Sequence, residues 1–450
     1  MKLALHGHSL MARVVRSTSW IVLGFGAAQM LRLASNLLLT RILFPEAFGL
    51  MALVTVITIG LSLFSDMGVS NAIAQNPRGD DPDFLDTAWT VQILRGGLLW
   101  VLTGALAIPA ALFYAAPELA YCLPIAGAGL ALQGFTPTKV ETAYRHLLVG
   151  RVTALTLISQ ILGIAFMVGL ALWTQSVIAL AIGSAFQEAV RLLLSYWMLP
   201  GRRNRFRWEP SATKDLIGLG KWIFLSTACF FLTTQGDRAI LGKYISLEAM
   251  GVYNIAFFLA SFPVQLGQAV NQRLMIPVYR DKPAIDNPAN RLRQRQLRFA
   301  LTAGILSMLW LMAWVGPWLA DVMYDDRYKA AGPIIVLLAA SLAPSIIVLT
   351  YDRASLAAGD SRGFFFYTAT RASLQTALFL WGMSQYGLVG GIAAMGVSVI
   401  LAYPTLMRQT RPYHAQDPLH DVIYSAASVL ICGGAVIYHS AEITTALTHF

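Results

Sequence analysis

The feature that most constrains this chain is a run of apolar stretches, each close to the ~20 residues that a helix needs to cross the hydrocarbon core of a bilayer. They fall at about 17–40, 48–70, 87–113, 117–138, 152–174, 176–199, 216–241, 248–275, 298–320, 331–351, 363–383, 386–407 and 421–439. Thirteen segments, within a range of 12–14, predict an all-α integral membrane protein. In hydrocarbon every backbone N–H and C=O must be bonded inside the protein, and a helix does this within one segment. Composition agrees: 56% of residues are hydrophobic and 12% charged, against about 25% charged in an average soluble domain. Prolines 137, 263, 317, 344 and 404 fall inside these segments and predict kinks.

The segments repeat. Residues 20–50 align without a gap on residues 222–252, an offset of 202. Seven positions are identical: Trp20, Ile21, Leu23, Leu39, Glu46, Ala47 and Gly49 match Trp222, Ile223, Leu225, Leu241, Glu248, Ala249 and Gly251. A period of about half the chain implies two related lobes and not a solenoid, and repeat transporters carry their substrate site where repeats meet. The boundaries expected are an N-terminal lobe at 1–199, a basic inter-lobe loop at 200–214, a C-terminal lobe at 215–411 and an additional helix within 412–450.

Charge orients the segments. With the N-terminus in the cytoplasm, the cytoplasmic segments hold 23 Lys and Arg, the opposite side holds 4, and 6 of the 33 lie within helices. That asymmetry is the positive-inside pattern of a multi-pass membrane protein, and it places the C-terminus outside. The net charge of +10 therefore reports orientation and not nucleic acid. The richest basic stretches, 200–214 and 273–298, read as topology determinants and contacts with anionic lipid.

The six cations within helices are Arg32, Arg95, Arg191, Lys221, Arg238 and Arg371. A charge near the bilayer centre costs from ~3 kcal/mol upward, so such residues face a polar interior and mark function by default. Their neighbours form one-sided polar stripes: Gln29, Arg32 and Asn36; Ser184, Glu188, Arg191 and Ser195; Thr368, Arg371 and Gln375; and Ser261, Gln265, Gln268 and Gln272. In the assigned orientation Lys221 sits at the inner end, Arg191 in the inner third, Arg95 and Arg371 toward the middle, Arg32 in the outer half and Arg238 near the outer end. Such a ladder suits a phosphorylated head group, because guanidinium pairs bidentately with phosphate. Structural readings compete with it. Arg191 can neutralise Glu188, Arg238 stands beside Asp237, and Lys221 and Arg238 can snorkel to the interfaces.

Asp66, Glu188 and Asp237 are the acids within the segments, and they are the candidates for coupling to an H+ or Na+ gradient. Asp66 can equally cap a helix end. No nucleophile–His pair, paired carboxylates or P-loop appears, so no cofactor is expected. His6 and His8 lack carboxylate partners for a metal, and Cys122, Cys229 and Cys432 read as small apolar core residues.

The run LLLTRILFPEAFGLMALVTVITIGLSLFSDMGVSNAIAQ (37–75) resembles the amino-terminal signature of bacterial polysaccharide exporters, the oligosaccharide flippases of the multidrug/oligosaccharidyl-lipid/polysaccharide superfamily. The run TTQGDRAILGKYISLEAMGVYNIAFFLASFPVQLGQAVNQRLMIPVY (233–279) resembles the start of that family's second half, and ASLAAGDSRGFFFYTATRASL with QYGLVGGIAAM (354–395) its late helices. The likeness spans residues 15–410. It implies two six-helix lobes in a V around a central cavity, as in multidrug and toxic compound extrusion (MATE) transporters. It also implies movement of undecaprenyl-diphosphate-linked oligosaccharide across the cytoplasmic membrane by alternating access, with a polysaccharide polymerase or co-polymerase as a partner. The family often has fourteen helices against thirteen segments here. The rival readings are a multidrug cation antiporter, which favours cavity acids where this first helix offers Arg32, and a flippase for the peptidoglycan precursor. A membrane glycosyltransferase or polymerase would need a long outward loop. The outward segments are short, and only 321–329 clusters acids.

Overall fold

A computed structural model describes residues 10–65, 68–146, 148–213, 220–281 and 283–447. Among these residues the regular structure is helical, as the backbone's need for internal partners in lipid requires. The chain divides into two compact units, Met1–Thr227 and Ala228–Phe450.

The first unit contains α1 (Leu10–Ile42), α2 (Pro45–Phe64), α3 (Val69–Gln75), α4 (Pro82–Phe113), α5 (Leu119–Gly134), α6 (Lys139–Arg145), α7 (Val149–Thr174) and α8 (Ile178–Met198). Helix starts follow local chemistry. Pro45 opens α2 with Glu46 in its first turn, a favourable place for a negative charge. Asp81 caps α4 by accepting from Asp83 N, and Pro82 follows it. α5 packs on α2, α4 and α8, and α7 packs on α1 and α8. Small residues let α4 and α5 approach closely: a Cβ on Gly96 would lie 3.0 Å from Gly134 Cα. Between α5 and α6 the chain turns by 60°, and Pro137 lies in that break, where a kink is expected.

The second unit contains most of α9 (Gly220–Tyr244), which begins in the first, and then α10 (Leu247–Ala260), α11 (Phe262–Asp281), α12 (Pro288–Met323), α13 (Ala331–Leu349), α14 (Ala354–Ala357), α15 (Ser361–Thr410), α16 (Pro418–Tyr438) and α17 (Ser440–Leu447). Its centre is α13, which is buried at 15 of 19 positions and touches α10, α12, α15 and α16. Pro263 stands at the start of α11, just past a 44° bend from α10. Within α15 the backbone leaves helical geometry at Gly387 (φ 58°, ψ −146°), a conformation that glycine adopts readily. The chain folds back there, and a Cβ on Gly382 would lie 2.4 Å from Gly390 O.

The repeat appears in the helix boundaries. α1 ends at Ile42 and α9 at Tyr244, while α2 begins at Pro45 and α10 at Leu247. Both pairs differ by the same 202 residues that align the sequences. The halves then diverge, because α2 continues to Phe64 whereas α10 stops at Ala260.

Eight helices among the described residues are long and apolar enough to cross a membrane, or up to ten if each bent pair is one span. The expected thirteen segments overlap these helices together with α1 and α9, and two of the thirteen (363–383 and 386–407) are the limbs that meet at Gly387. The chain is a multi-pass membrane protein.

The close approach at Gly382 yields a test. Gly382→Val forces a side chain against the Gly390 carbonyl and should cost about 1–3 kcal/mol. The detergent-solubilised variant should melt at a clearly lower temperature than the parent, and an unchanged midpoint would contradict the tight hairpin.

Candidate functional site: the intramembrane cations

In the first unit, Arg95 on α4 reaches the end of α2. Its Nε donates to Ser65 Oγ (2.9 Å) and its Nη2 to Ser62 O (2.6 Å). The last carbonyls of a helix have no intrahelical donors, so Arg95 supplies one to a helix 30 residues earlier. Arg191 lies 3.8 Å from Glu188 on the same helix face, the pairing that their spacing allows. Arg32 is exposed on α1, Asn36 is half-buried and Gln29 is buried. Asp66 lies outside the described residues, as do His6, His8 and the side chain of Lys221.

The second unit gathers more. On α9, Asp237 is 3% exposed and accepts a hydrogen bond from Tyr253 Oη (2.7 Å). Arg238 is held from several directions. Its Nη1 lies 3.6 Å from Asp237 Oδ1 and donates to Thr234 O (3.1 Å). Its Nε donates to Asn254 Oδ1 (3.3 Å), and its guanidinium stands 4.0 Å from the centre of the Phe257 ring. A buried charge needs this completeness. By the 202-residue offset, Asp237 and Arg238 occupy the register of Ser35 and Asn36, so both repeats place a polar pair at this level of their first helix.

One turn earlier on α9, Thr233 O accepts from Gln375 Nε2 of α15 (3.1 Å). Gln375 therefore joins the Arg238 cluster through adjacent carbonyls of α9. Arg371 lies one turn before Gln375, and its Nη2 donates to Ser345 Oγ on α13 (3.0 Å). Its electrostatic neighbours are Tyr367 and Asp352. Arg371 Nε and Asp352 Oδ1 are buried without hydrogen-bond partners. Buried polar groups are almost always bonded; Tyr367 pairs with Arg371 and Asp352 with the Arg353 backbone, so the group is a polar cluster with spare hydrogen-bonding capacity. Gln268 on α11 is half-buried.

Sequence reasoning missed Asp352 and Tyr367. Asp352 lies between helices, outside any periodic stripe, and Tyr367 sits one turn before Arg371 within an aromatic run.

It also missed how the basic segment after α8 is fixed. Arg78 Nη1 and Nη2 bond Glu209 (2.8 Å each), and Nη2 also bonds Asp81 Oδ2 (2.6 Å). Arg202 bonds Asp86, and Asn204 Nδ2 donates to Thr138 Oγ1 (2.8 Å). Asp86, Thr138, Lys139, His146, Arg202 and Asn204 contribute to a cavity of about 360 Å³. Residues 202–209 are thus tied to α4 and to the residues just before it by ion pairs of both polarities. The Arg78 and Ser211 hydrogen bonds pull the Glu209 carboxyl down to about 2 from its usual 4.5. A depressed carboxylate contributes above its unfolded value and loses that contribution as pH falls through its folded one. The tether is therefore intact at neutral and mildly acid pH.

Comparison with known proteins settles the family. Residues 38–333 match the polysaccharide biosynthesis protein family. The chain belongs to that family. It is 23% identical over 386 residues to the succinoglycan biosynthesis transport protein ExoT of Rhizobium meliloti (strain 1021), covering 84% of this chain and 76% of ExoT. It is 22% identical over 347 residues to the teichuronic acid biosynthesis protein TuaB of Bacillus subtilis (strain 168), covering 74% and 67%. Among solved structures, the lipid II flippase MurJ in an inward closed conformation aligns with a TM-score of 0.69 at 13% identity, covering 94% of this chain and 100% of MurJ. An inward-facing MATE transporter of the MOP superfamily aligns at 0.59 and 15% identity, covering 85% and 95%. This polysaccharide biosynthesis family member therefore shares its fold with those two structures. It is a multi-pass membrane protein of that family.

Two tests follow from the partners named above. Asp237→Ala should destabilise the protein by about 1–3 kcal/mol, because it leaves the buried Tyr253 hydroxyl without its acceptor and removes Arg238's carboxylate, and Tyr253→Phe by about 1 kcal/mol; equal unfolding midpoints for parent and Asp237→Ala would refute the pairing. Arg78→Ala should release the basic segment, seen as faster tryptic cleavage at Arg202–Arg207, and an unchanged rate would refute the tether.

Proposed function

We propose that this protein moves a polyprenyl-diphosphate-linked oligosaccharide repeat unit, the precursor of an exopolysaccharide, capsule or O-antigen, across the bacterial cytoplasmic membrane. The observation that carries the reading is Arg371. It is a guanidinium in an apolar helix with an unpartnered buried nitrogen, in a chain whose relatives are named for polysaccharide biosynthesis and transport. A diphosphate supplies the acceptor that such a nitrogen lacks, in a geometry that matches the guanidinium fork.

Residues 1–199 and 215–411 act as the two lobes of an alternating-access cycle, with the N-terminus in the cytoplasm and the C-terminus in the periplasm. The charged head pairs in turn with Arg32, Arg95, Arg191 and Arg371, while Asn36, Gln268 and Gln375 bond its sugars. The prenyl tail stays in lipid. Lys221 draws the head in at the inner end, and Arg238 meets it near the outer end. The substrate drives the cycle only through its different affinity for the two states. If an H+ or Na+ gradient contributes, Asp66 and Glu188 are the acids to carry it, because Asp237 is already committed to Tyr253 and Arg238. A polysaccharide polymerase or co-polymerase receives the delivered unit. The likeness to MurJ favours one alternative cargo, the peptidoglycan precursor, whose loss would lyse cells and not merely strip their polysaccharide.

Arg371→Ala and Arg32→Ala should each abolish polymer export while the protein still accumulates, folded, in the membrane. Export is read from surface polysaccharide in a strain relying on the variant. Normal export by both variants would refute the cationic path.

A further inference from the structure

At the start of α12, a second cavity of about 450 Å³ opens where the basic end of the helix meets its apolar part. Arg291, Arg295 and Arg298 all line it. Their spacing of i, i+4 and i+7 puts them on one face of α12. Across from them is Asp417, the capping residue of α16.

The charge in this cavity is unbalanced. Arg295 Nε lies 3.0 Å from Asp417 Oδ2, and Arg298 Nη1 lies 4.0 Å from the same oxygen. Asp417 Oδ1 is occupied in capping α16, accepting from His420 N at 3.3 Å. One carboxylate, already half committed, faces three guanidiniums. Arg298 is 3% exposed. Its Nη2 donates to Tyr279 Oη (2.8 Å), its guanidinium lies 4.9 Å from the centre of the Tyr351 ring, and its Nε has no acceptor. Arg291 is exposed at the cavity's edge and has no ion pair among the described residues.

The surroundings specify what else the ligand carries. Leu292 and Leu419 line the same cavity and are 57% and 55% exposed. The exposed apolar face continues along α16 through Val422, Val429 and Leu430. A free anion would have no use for this face. A molecule with a phosphate at one end and hydrocarbon at the other would satisfy both halves, with its phosphate at the level where interfacial head groups sit.

We propose that this cavity binds the head group of an anionic phospholipid, with the phosphate on Arg291, Arg295 and Arg298 and the acyl chains along the exposed face of α16. The bound lipid fastens the α12–α16 corner of the second unit to the bilayer. None of these residues belongs to the proposed substrate path, so the cargo assignment can fail while this one stands.

The test uses the full-length protein in nanodiscs of phosphatidylcholine doped with phosphatidylglycerol, with retained lipid counted by native mass spectrometry. Wild type should retain phosphatidylglycerol over phosphatidylcholine. Arg291→Gln combined with Arg295→Gln should lower that retention on the order of tenfold, and the matching double Lys variant should recover much of it. Both side chains are exposed, so the fold should survive, as a thermal melt would confirm. Wild type that shows no preference for phosphatidylglycerol would overturn the proposal without any variant. Full retention by the double Gln variant would also overturn it. So would complete displacement of the lipid by inorganic phosphate, which would make this a site for the free anion.

Discussion

A guanidinium inside a membrane has to find its hydrogen-bond partners within the protein. Three of this chain's intramembrane guanidiniums meet the requirement to different degrees. Arg95 is satisfied by the end of a neighbouring helix, through Ser62 and Ser65. Arg238 is enclosed by a carboxylate, an amide, a backbone carbonyl and an aromatic ring. Arg371 is left partly unsatisfied, beside Asp352 Oδ1, which also lacks a partner. The cost of leaving a buried donor unbonded is on the order of 1–3 kcal/mol.

This distinction sorts the intramembrane cations better than their depth does. Arg95 and Arg238 are bound into the helix packing, so part of their role is architectural even if substrate passes close by. Arg191 shares its charge with Glu188. Arg371 is half-buried and bonds Ser345 through Nη2, while its Nε is left without an acceptor. It also sits one turn from Gln375, whose bond to Thr233 O links α15 to the helix that carries Arg238. The polar groups of the second unit thus form a connected seam along α9 and α15.

Much of the architecture was legible in the sequence because lipid imposes a simple rule on segment length and apolarity. The 202-residue repeat was legible too, and the boundaries of α1, α2, α9 and α10 reproduce it. The paired contacts were not. Arg78 meets Glu209 across 131 positions, and Arg95 meets Ser62 across 33. Periodicity within one helix says nothing about which face of another helix it will meet. The spacing of Glu188 and Arg191 did foretell their contact, because both lie on one helix. The kink expected at Pro137 is present, as the 60° break between α5 and α6. There the missing N–H of proline interrupts no helix.

The account's central claim is that cationic groups in the membrane recognise the diphosphate of a lipid-linked sugar. Equilibrium binding of the purified protein to two ligands tests it most directly: a polyprenyl-diphosphate-linked oligosaccharide, and the same sugar on the same prenyl chain without the diphosphate. The account predicts that the diphosphate lipid binds about tenfold or more tightly, and that added salt erodes the difference. Equal affinity for the two, at low and high salt alike, would contradict it.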